Sequence, residues 1–242
     1  MISINQSMSW RNKPMKIQYL SHSAFILSVG KHTVAIDPFL EGNPTAPMAP
    51  EQIKADFIVV THAHPDHFGD ALAIARANGS TIISCFEIAT FCQKQGVPAH
   101  PLHIGGGNNF PFGRVKLTIA HHGSAYPVDG ENLQSMGIAA GALVSIGGKT
   151  IYHAGDTGLF MDMKLIGEMN SIDVALLPIG DNFTMDINDA VKAAEFVRPA
   201  LAIPMHYDTF DIIKTIPDDF VNKVEKLGIK ARKLDFGEHI DI

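Results

Sequence analysis

Short apolar runs recur along the chain, separated by Gly, Pro, Asn and Asp, a rhythm of many brief strands and modest helices. KIQYL (16–20), AFILSV (24–29) and TVAID (33–37) predict an antiparallel meander with a turn at Gly30-Lys31. FIVVT (57–61) reads as a buried strand. FGDALAIARA (68–77) carries a helical pattern that stops at Asn78-Gly79. TIISC (81–85) is a further strand, EIATFCQKQ (87–95) a helix closed by Gly96, and VKLTIAH (115–121) another strand. The second half repeats this grammar. IAAGALVSI (138–146) and TIYHAGD (150–156) form a hairpin about Gly147-Gly148, and MDMKLIGEM (161–169) is a helix with its methionines in the core. VALLPIGD (174–181) is a buried strand. DAVKAAEFV (189–197) is a helix capped by Asn188 or Asp186, and ALAIPMHYD (200–208) is a strand ending in a histidine. A last helix over 218–228 precedes the strands IKARKL and EHIDI.

The two halves predict an α/β (α+β) fold of two packed mixed sheets with helices on the outer faces. Both halves supply polar strand ends and no Pro/Ser linker separates them, so the expectation is one domain over residues 15–242. Residues 1–14, MISINQSMSWRNKP, lack the apolar stretch of a signal peptide and read as a loose leader, with Met15 an alternative start.

Composition narrows the function. Hydrophobic residues are 46% and charged residues 18% of the 242, enough to build a core without disulfide or metal staples. The formal net charge is −6, and the densest basic cluster is Lys230, Arg232 and Lys233, so a nucleic-acid partner is not expected. No apolar run reaches the roughly 18–20 residues that span a bilayer, so a membrane partner is not expected either. Cys85 and Cys92 lie seven residues apart, without CxxC spacing, and read as buried thiols in a soluble, cytoplasmic protein.

The chemistry concentrates in THAHPDHFGD, residues 61–70. Directly after a buried strand, a tight loop can aim His62, His64, Asp66 and His67 at one point; Pro65 argues against a helix there. Imidazole and carboxylate are the ligands of borderline metals such as Zn²⁺, Mn²⁺ and Fe²⁺. One loop cannot close two metal sites, and three later strand ends offer partners: His122 in IAHHGSA, Asp156 in YHAGDTG and His206 in IPMHYDTF.

THAHPDH resembles the HxHxDH signature of the metallo-β-lactamase superfamily, and the later motifs follow in that superfamily's order. Ile36-Asp37-Pro38 resembles its early supporting aspartate motif. SHSAF, IDPFL, HIGGG, HAGDT, LPIGDNFTM and PMHYDTF together are similar to an uncharacterised family of prokaryotic metal-dependent hydrolases, near L-ascorbate-6-phosphate lactonase and phosphodiesterase-like members. The resemblance covers the chain from about residue 15. It implies a four-layer αβ/βα sandwich holding two divalent metal ions, Zn first, with Mn, Fe or Ni as alternatives. One ion would take His62, His64 and His122, the other Asp66, His67 and His206, and Asp156 would bridge them. Between neighbours His121 and His122, the resemblance favours His122, which precedes the Gly-Ser turn.

The implied reaction is hydrolysis of an ester, lactone or phosphodiester bond in a small-molecule substrate by a metal-bridged hydroxide. Asp66 would orient the nucleophile, and His22 is the candidate to protonate the leaving group. His103, His153, Asp181 and Asn182 are weaker pocket candidates, while His32, His100 and His239 read as surface residues. Di-iron redox relatives carry a carboxylate where His64 stands, which disfavours that chemistry here. The alternative to an enzyme is a catalytically silent metal-binding or sensor protein on the same fold. A homo-oligomer is left open.

Overall fold

The computed structural model describes residues 14–128, 130 and 132–242; the leader read over 1–14 lies, but for Pro14, outside them. Strands β1 (Lys16–Tyr19), β2 (Phe25–Val29) and β3 (His32–Ile36) form the antiparallel meander. On β1 and β2, Ile17, Tyr19, Phe25, Leu27 and Val29 are buried and alternate with half-buried positions, the pattern of a sheet with one fully covered face. β4 (Phe57–Val59), β5 (Thr81–Cys85) and β6 (Ala99–Leu102) continue the same sheet in parallel.

The second sheet mirrors this plan. β7 (Gly107–Phe110), β8 (Gly113–Ile119), β11 (Ala140–Ile146) and β12 (Lys149–His153) pair antiparallel; β13 (Val174–Pro178), β14 (Leu201–Met205) and β15 (Lys230–Ala231) follow in parallel. All five residues of β13 are buried, as expected of a strand covered on both faces. The short strands β9 (Ala125–Pro127) and β10 (Leu133–Ser135) make a separate hairpin after the second histidine site. Strand β16 (His239–Asp241) crosses back to the first sheet, where Ile240 pairs with Ile17 of β1.

Helices α2 (Ala71–Asn78) and α3 (Phe86–Lys94) pack on the first sheet, and α5 (Ile187–Val197) and α6 (Pro217–Glu225) on the second. One continuous apolar cluster runs through both sheets. The cap of α5 is Asp186, whose carboxylate accepts from the Asp189 amide at 2.8 Å.

Three local readings are corrected. Residues Pro65–Phe68 form one helical turn, α1, despite Pro65, because a proline at the first helical position removes only an amide that has no partner there. The helix read from residue 68 therefore begins only at Ala71, after a break at Gly69 (φ 40°). A Cβ on Gly69 would lie 2.6 Å from the Pro38 carbonyl oxygen. On α4 (Asp162–Met169) only Met163 enters the core; Met161 and Met169 are 68% and 70% exposed, since with Leu165 they lie four residues apart along the solvent face.

Candidate metal centre

Strand ends from both sheets converge at one edge of the sandwich. β3 ends at Asp37, β4 runs into Thr61 and His62, and α1 presents Asp66 and His67. β8 leads to His122, β12 to Asp156 and β14 to His206. His22 comes from the β1–β2 turn. His22, His62, His67, Asp156 and His206 are buried; His64, Asp66 and His122 are half-buried and form the open side. His22, Asp37 and His206 have left-handed backbones (φ 55°, 44° and 57°), a conformation uncommon outside glycine that the surrounding contacts must hold.

Hydrogen bonding fixes which nitrogens face inward. Asp37 is fully buried and accepts the Thr61 amide at 2.8 Å, the Thr61 hydroxyl at 2.5 Å and His67 Nδ1–H at 2.8 Å. With its hydrogen committed to Asp37, the Thr61 oxygen can only accept from His62 Nδ1, 3.1 Å away. In their neutral forms both rings then present the Nε2 lone pair, turned into the cluster. Neither Thr61 nor its relay role was read from the sequence, where a threonine before a histidine carries no distinct signal.

Two groups of donors result. His62 Nε2 lies 3.1 Å from His64 Nδ1, which lies 3.2 Å from His122 Nε2. Nitrogens about 2.0–2.1 Å from one tetrahedral cation are roughly 3.3 Å apart. The second group gathers His22, Asp66, His67 and His206, with donor atoms all within 4.8 Å of one another. Asp156 stands between the groups: Oδ1 is 3.1 Å from His67 Nε2, and Oδ2 is 3.0 Å from His206 Nε2 and 3.7 Å from His122 Nε2. These contacts are close but not aligned as hydrogen bonds. His67 Nε2, Asp156 Oδ1 and His206 Nε2 are buried without a hydrogen-bond partner. Such orphaned atoms are costly in a native interior unless something else engages them.

His121 points away, its ring against Phe160, while its neighbour His122 joins the cluster. His153 is buried behind the site; Nε2–H donates to the Ser23 carbonyl at 2.9 Å, and Nδ1 accepts the Gly155 amide at 3.1 Å. That ties down the turn presenting Asp156, where Gly155 (φ 64°) has no room for a Cβ, which would sit 2.4 Å from the Ala140 carbonyl oxygen. His103, Asp181, Asn182 and His239 are exposed, His32 and His100 half-buried, and none belongs to the clusters.

The electrostatics suit cation binding. Burial holds His62, His64 and His122 below the ordinary imidazole range, so their lone pairs are free at neutral pH. Burial also opposes charge on His67, but Asp156 and Asp37 outweigh it and raise that ring well above the usual value. For Asp156, burial is outweighed by His206 and His67, which hold the carboxyl well below its usual range. For Asp66, burial is outweighed in the same sense by the hydrogen bond from His22 together with the nearby His67 and His22 rings.

A pH dependence follows for the metal-free protein. His22 (pushed down to about 4 by burial and then by His206), His62, His64, His122 and His153 refuse protons that the unfolded chain takes up near pH 6.5. Stability should therefore fall as pH drops below about 6.5. His67 acts oppositely: its contribution is complete below about 6.5 and is lost as pH rises through its raised value. Five rings against one give a lower melting temperature at pH 5 than at pH 7 in chelator-treated protein; an equal or higher one would contradict this balance.

The fold and the cluster together define a metal-dependent hydrolase of the β-lactamase superfamily, and the profile of the Beta-lactamase superfamily domain matches residues 16–206. The chain belongs to the UPF0173 metal-dependent hydrolases. It is 51% identical to the member from Geobacillus sp. (strain WCH70), covering 94% of this chain and 100% of that one. It is 48% identical to the member from Carboxydothermus hydrogenoformans, covering 93% and 99%. Among solved structures it is similar to Igni18, a metallo hydrolase from Ignicoccus hospitalis (TM-score 0.86, 39% identity, 95% and 98% covered). The metallo-β-lactamase fold protein YhfI from Bacillus subtilis shares the fold (TM-score 0.70, 14% identity, 95% and 100% covered).

Proposed function

We propose that the chain hydrolyses an ester, lactone or phosphodiester bond of a small molecule, using two divalent cations held in the cluster, zinc first. One position is formed by His62, His64 and His122, the other by Asp66, His67 and His206, with Asp156 shared between them. The observation that carries this reading is the set of buried His67, Asp156 and His206 atoms that converge on one another without a hydrogen-bond partner, as a cation site requires. Divalent cations bound there supply a hydroxide near neutral pH and positive charge against a developing oxyanion.

The protein's own part is positional. Asp37 and Thr61 lock His62 and His67 in the tautomers that present Nε2. Asp66, with 31% of its side chain exposed, is the carboxylate of the cluster best placed to meet an incoming nucleophile and substrate. A net charge of −6 favours a small substrate over a nucleic acid. Among the described residues no helix is long and apolar enough to cross a membrane. The buried, unpaired Cys85 and Cys92 suit a reducing compartment, which supports a cytoplasmic place.

The test is a substrate panel on metal-loaded protein, including an activated ester, a lactone and bis(p-nitrophenyl) phosphate. Turnover is expected on at least one, with kcat falling about 10²–10³-fold in Asp66→Ala. Fully metal-loaded protein that is inert across the panel would instead support a metal-binding or sensor role.

A further inference from the structure

His22 is one of the fully buried rings around the cluster, and its bonds are already committed. The Asp66 carboxylate can only accept, so the 3.1 Å contact from His22 Nε2 to Asp66 Oδ2 requires the hydrogen to sit on Nε2. Nδ1 is 3.0 Å from the Thr209 hydroxyl, so both ring nitrogens are engaged. The His22 carbonyl accepts the His206 amide at 2.7 Å and the Tyr19 hydroxyl at 2.9 Å. His22 thus touches Asp66 through its ring and His206 through its backbone. His22 and His206 both hold left-handed backbones, and each supplies one end of the bond between them. The ring is fully buried, 4.1 Å from that of His206, with Phe39 and Phe210 each 5.8 Å away on its flanks.

We propose that His22 is a positioning residue for the second metal position, orienting Asp66 and anchoring the turn of His206, and that it is not the donor of the leaving-group proton. A donor must reach the leaving atom and be resupplied from solvent. The Nε2 hydrogen faces Asp66 instead, and giving it up would break the contact that holds that carboxylate. Nor is Nε2 a metal ligand in this arrangement, because it carries a hydrogen where a ligand needs a lone pair. The left-handed turn is then explained as the geometry that lets one residue serve two others at once.

This rests on the two-cation reading, and the experiment separates the two. Zinc affinity is measured by competition with a chromophoric chelator in the wild type, His22→Leu, His22→Gln and Thr209→Val, with thermal melting as a folding control. The wild type should bind two equivalents; one or none would overturn the cation reading itself. His22→Leu should weaken the looser equivalent about 10–100-fold while leaving the tighter one in place. His22→Gln, whose side-chain amide can still donate to Asp66, should recover most of that loss. Should His22→Leu fail to fold, Gln and Thr209→Val decide: near-native affinity in Gln with weakened affinity in Thr209→Val supports positioning. Hydrolysis of an ester with a p-nitrophenolate leaving group, which needs no proton, provides a second readout. A positioning residue is still needed there, whereas a proton donor is not. Two equivalents bound at wild-type affinity by His22→Leu, with activity lost only on poor leaving groups, would overturn the proposal.

Discussion

On the two-cation proposal, alanine at Asp156 should reduce the metal content from about two equivalents per chain to one or fewer and remove measurable hydrolysis. Asp156 is the only residue of the cluster whose two oxygens face both donor groups, 3.0–3.1 Å from His206 and His67 and 3.7 Å from His122. Its loss also leaves the raised ring of His67 with a single carboxylate, Asp37. The effect should exceed the roughly 10–100-fold cost of losing a supporting contact around a metal site. Plasma mass spectrometry on protein purified without a chelating tag measures the metal directly. Full retention of two equivalents in Asp156→Ala would remove the shared-ligand assignment.

The second large effect is expected at Asp37, which reaches no substrate. Asp37→Ala strands the Thr61 amide, the Thr61 hydroxyl and His67 Nδ1 in a fully buried place. Removing one partner from a buried charged network typically costs about 3–5 kcal/mol. For a chain of this size that is a fall in melting temperature on the order of 10 °C. Aspartate also tolerates the left-handed backbone at this position (φ 44°) better than alanine does. Metal affinity should fall as well, because His62 and His67 lose the bonds that fix their tautomers. Calorimetry of the metal-free variant isolates the folding part; a shift below about 2 °C would mean that the Asp37 network is not needed for stability.

How far the sequence could be read depended on the kind of signal each residue left. Apolar runs ending in His or Asp marked β4, β8, β12 and β14 and the side chains beyond them, because burial of a central strand demands continuous apolar residues. β6 and β7 (AHPL and GNNF) escaped, since edge strands facing solvent need no apolar alternation and pair through their backbones alone. α1 escaped because its evidence, Pro65, points either way until the position in the turn is known. At the site, His22, His62, His64, Asp66, His67, Asp156 and His206 could be singled out by residue type and placement, while Asp37 and the choice of His122 over His121 came from the family resemblance. Their relations could not. That Thr61 sets the tautomer of His62, that Thr209 engages His22, and that Phe39 and Phe210 wall that ring depend on distances across loops far apart in sequence. The methionines of α4 show the limit of composition: residue type marks Met161 and Met169 as apolar, but the facing of the helix leaves them in water.

The return of β16 to pair with β1 joins two strands from opposite ends of the described chain. During synthesis most of the first sheet is laid down early, yet the flank of β1 stays without its neighbour until the other strands of both sheets have been made. For that interval the nascent chain carries an open strand edge, the kind of surface on which growing polypeptides adhere to one another. Chaperone dependence and yield in the cell should thus respond to changes in residues 239–241 more than their small share of the core suggests, through the timing of edge closure.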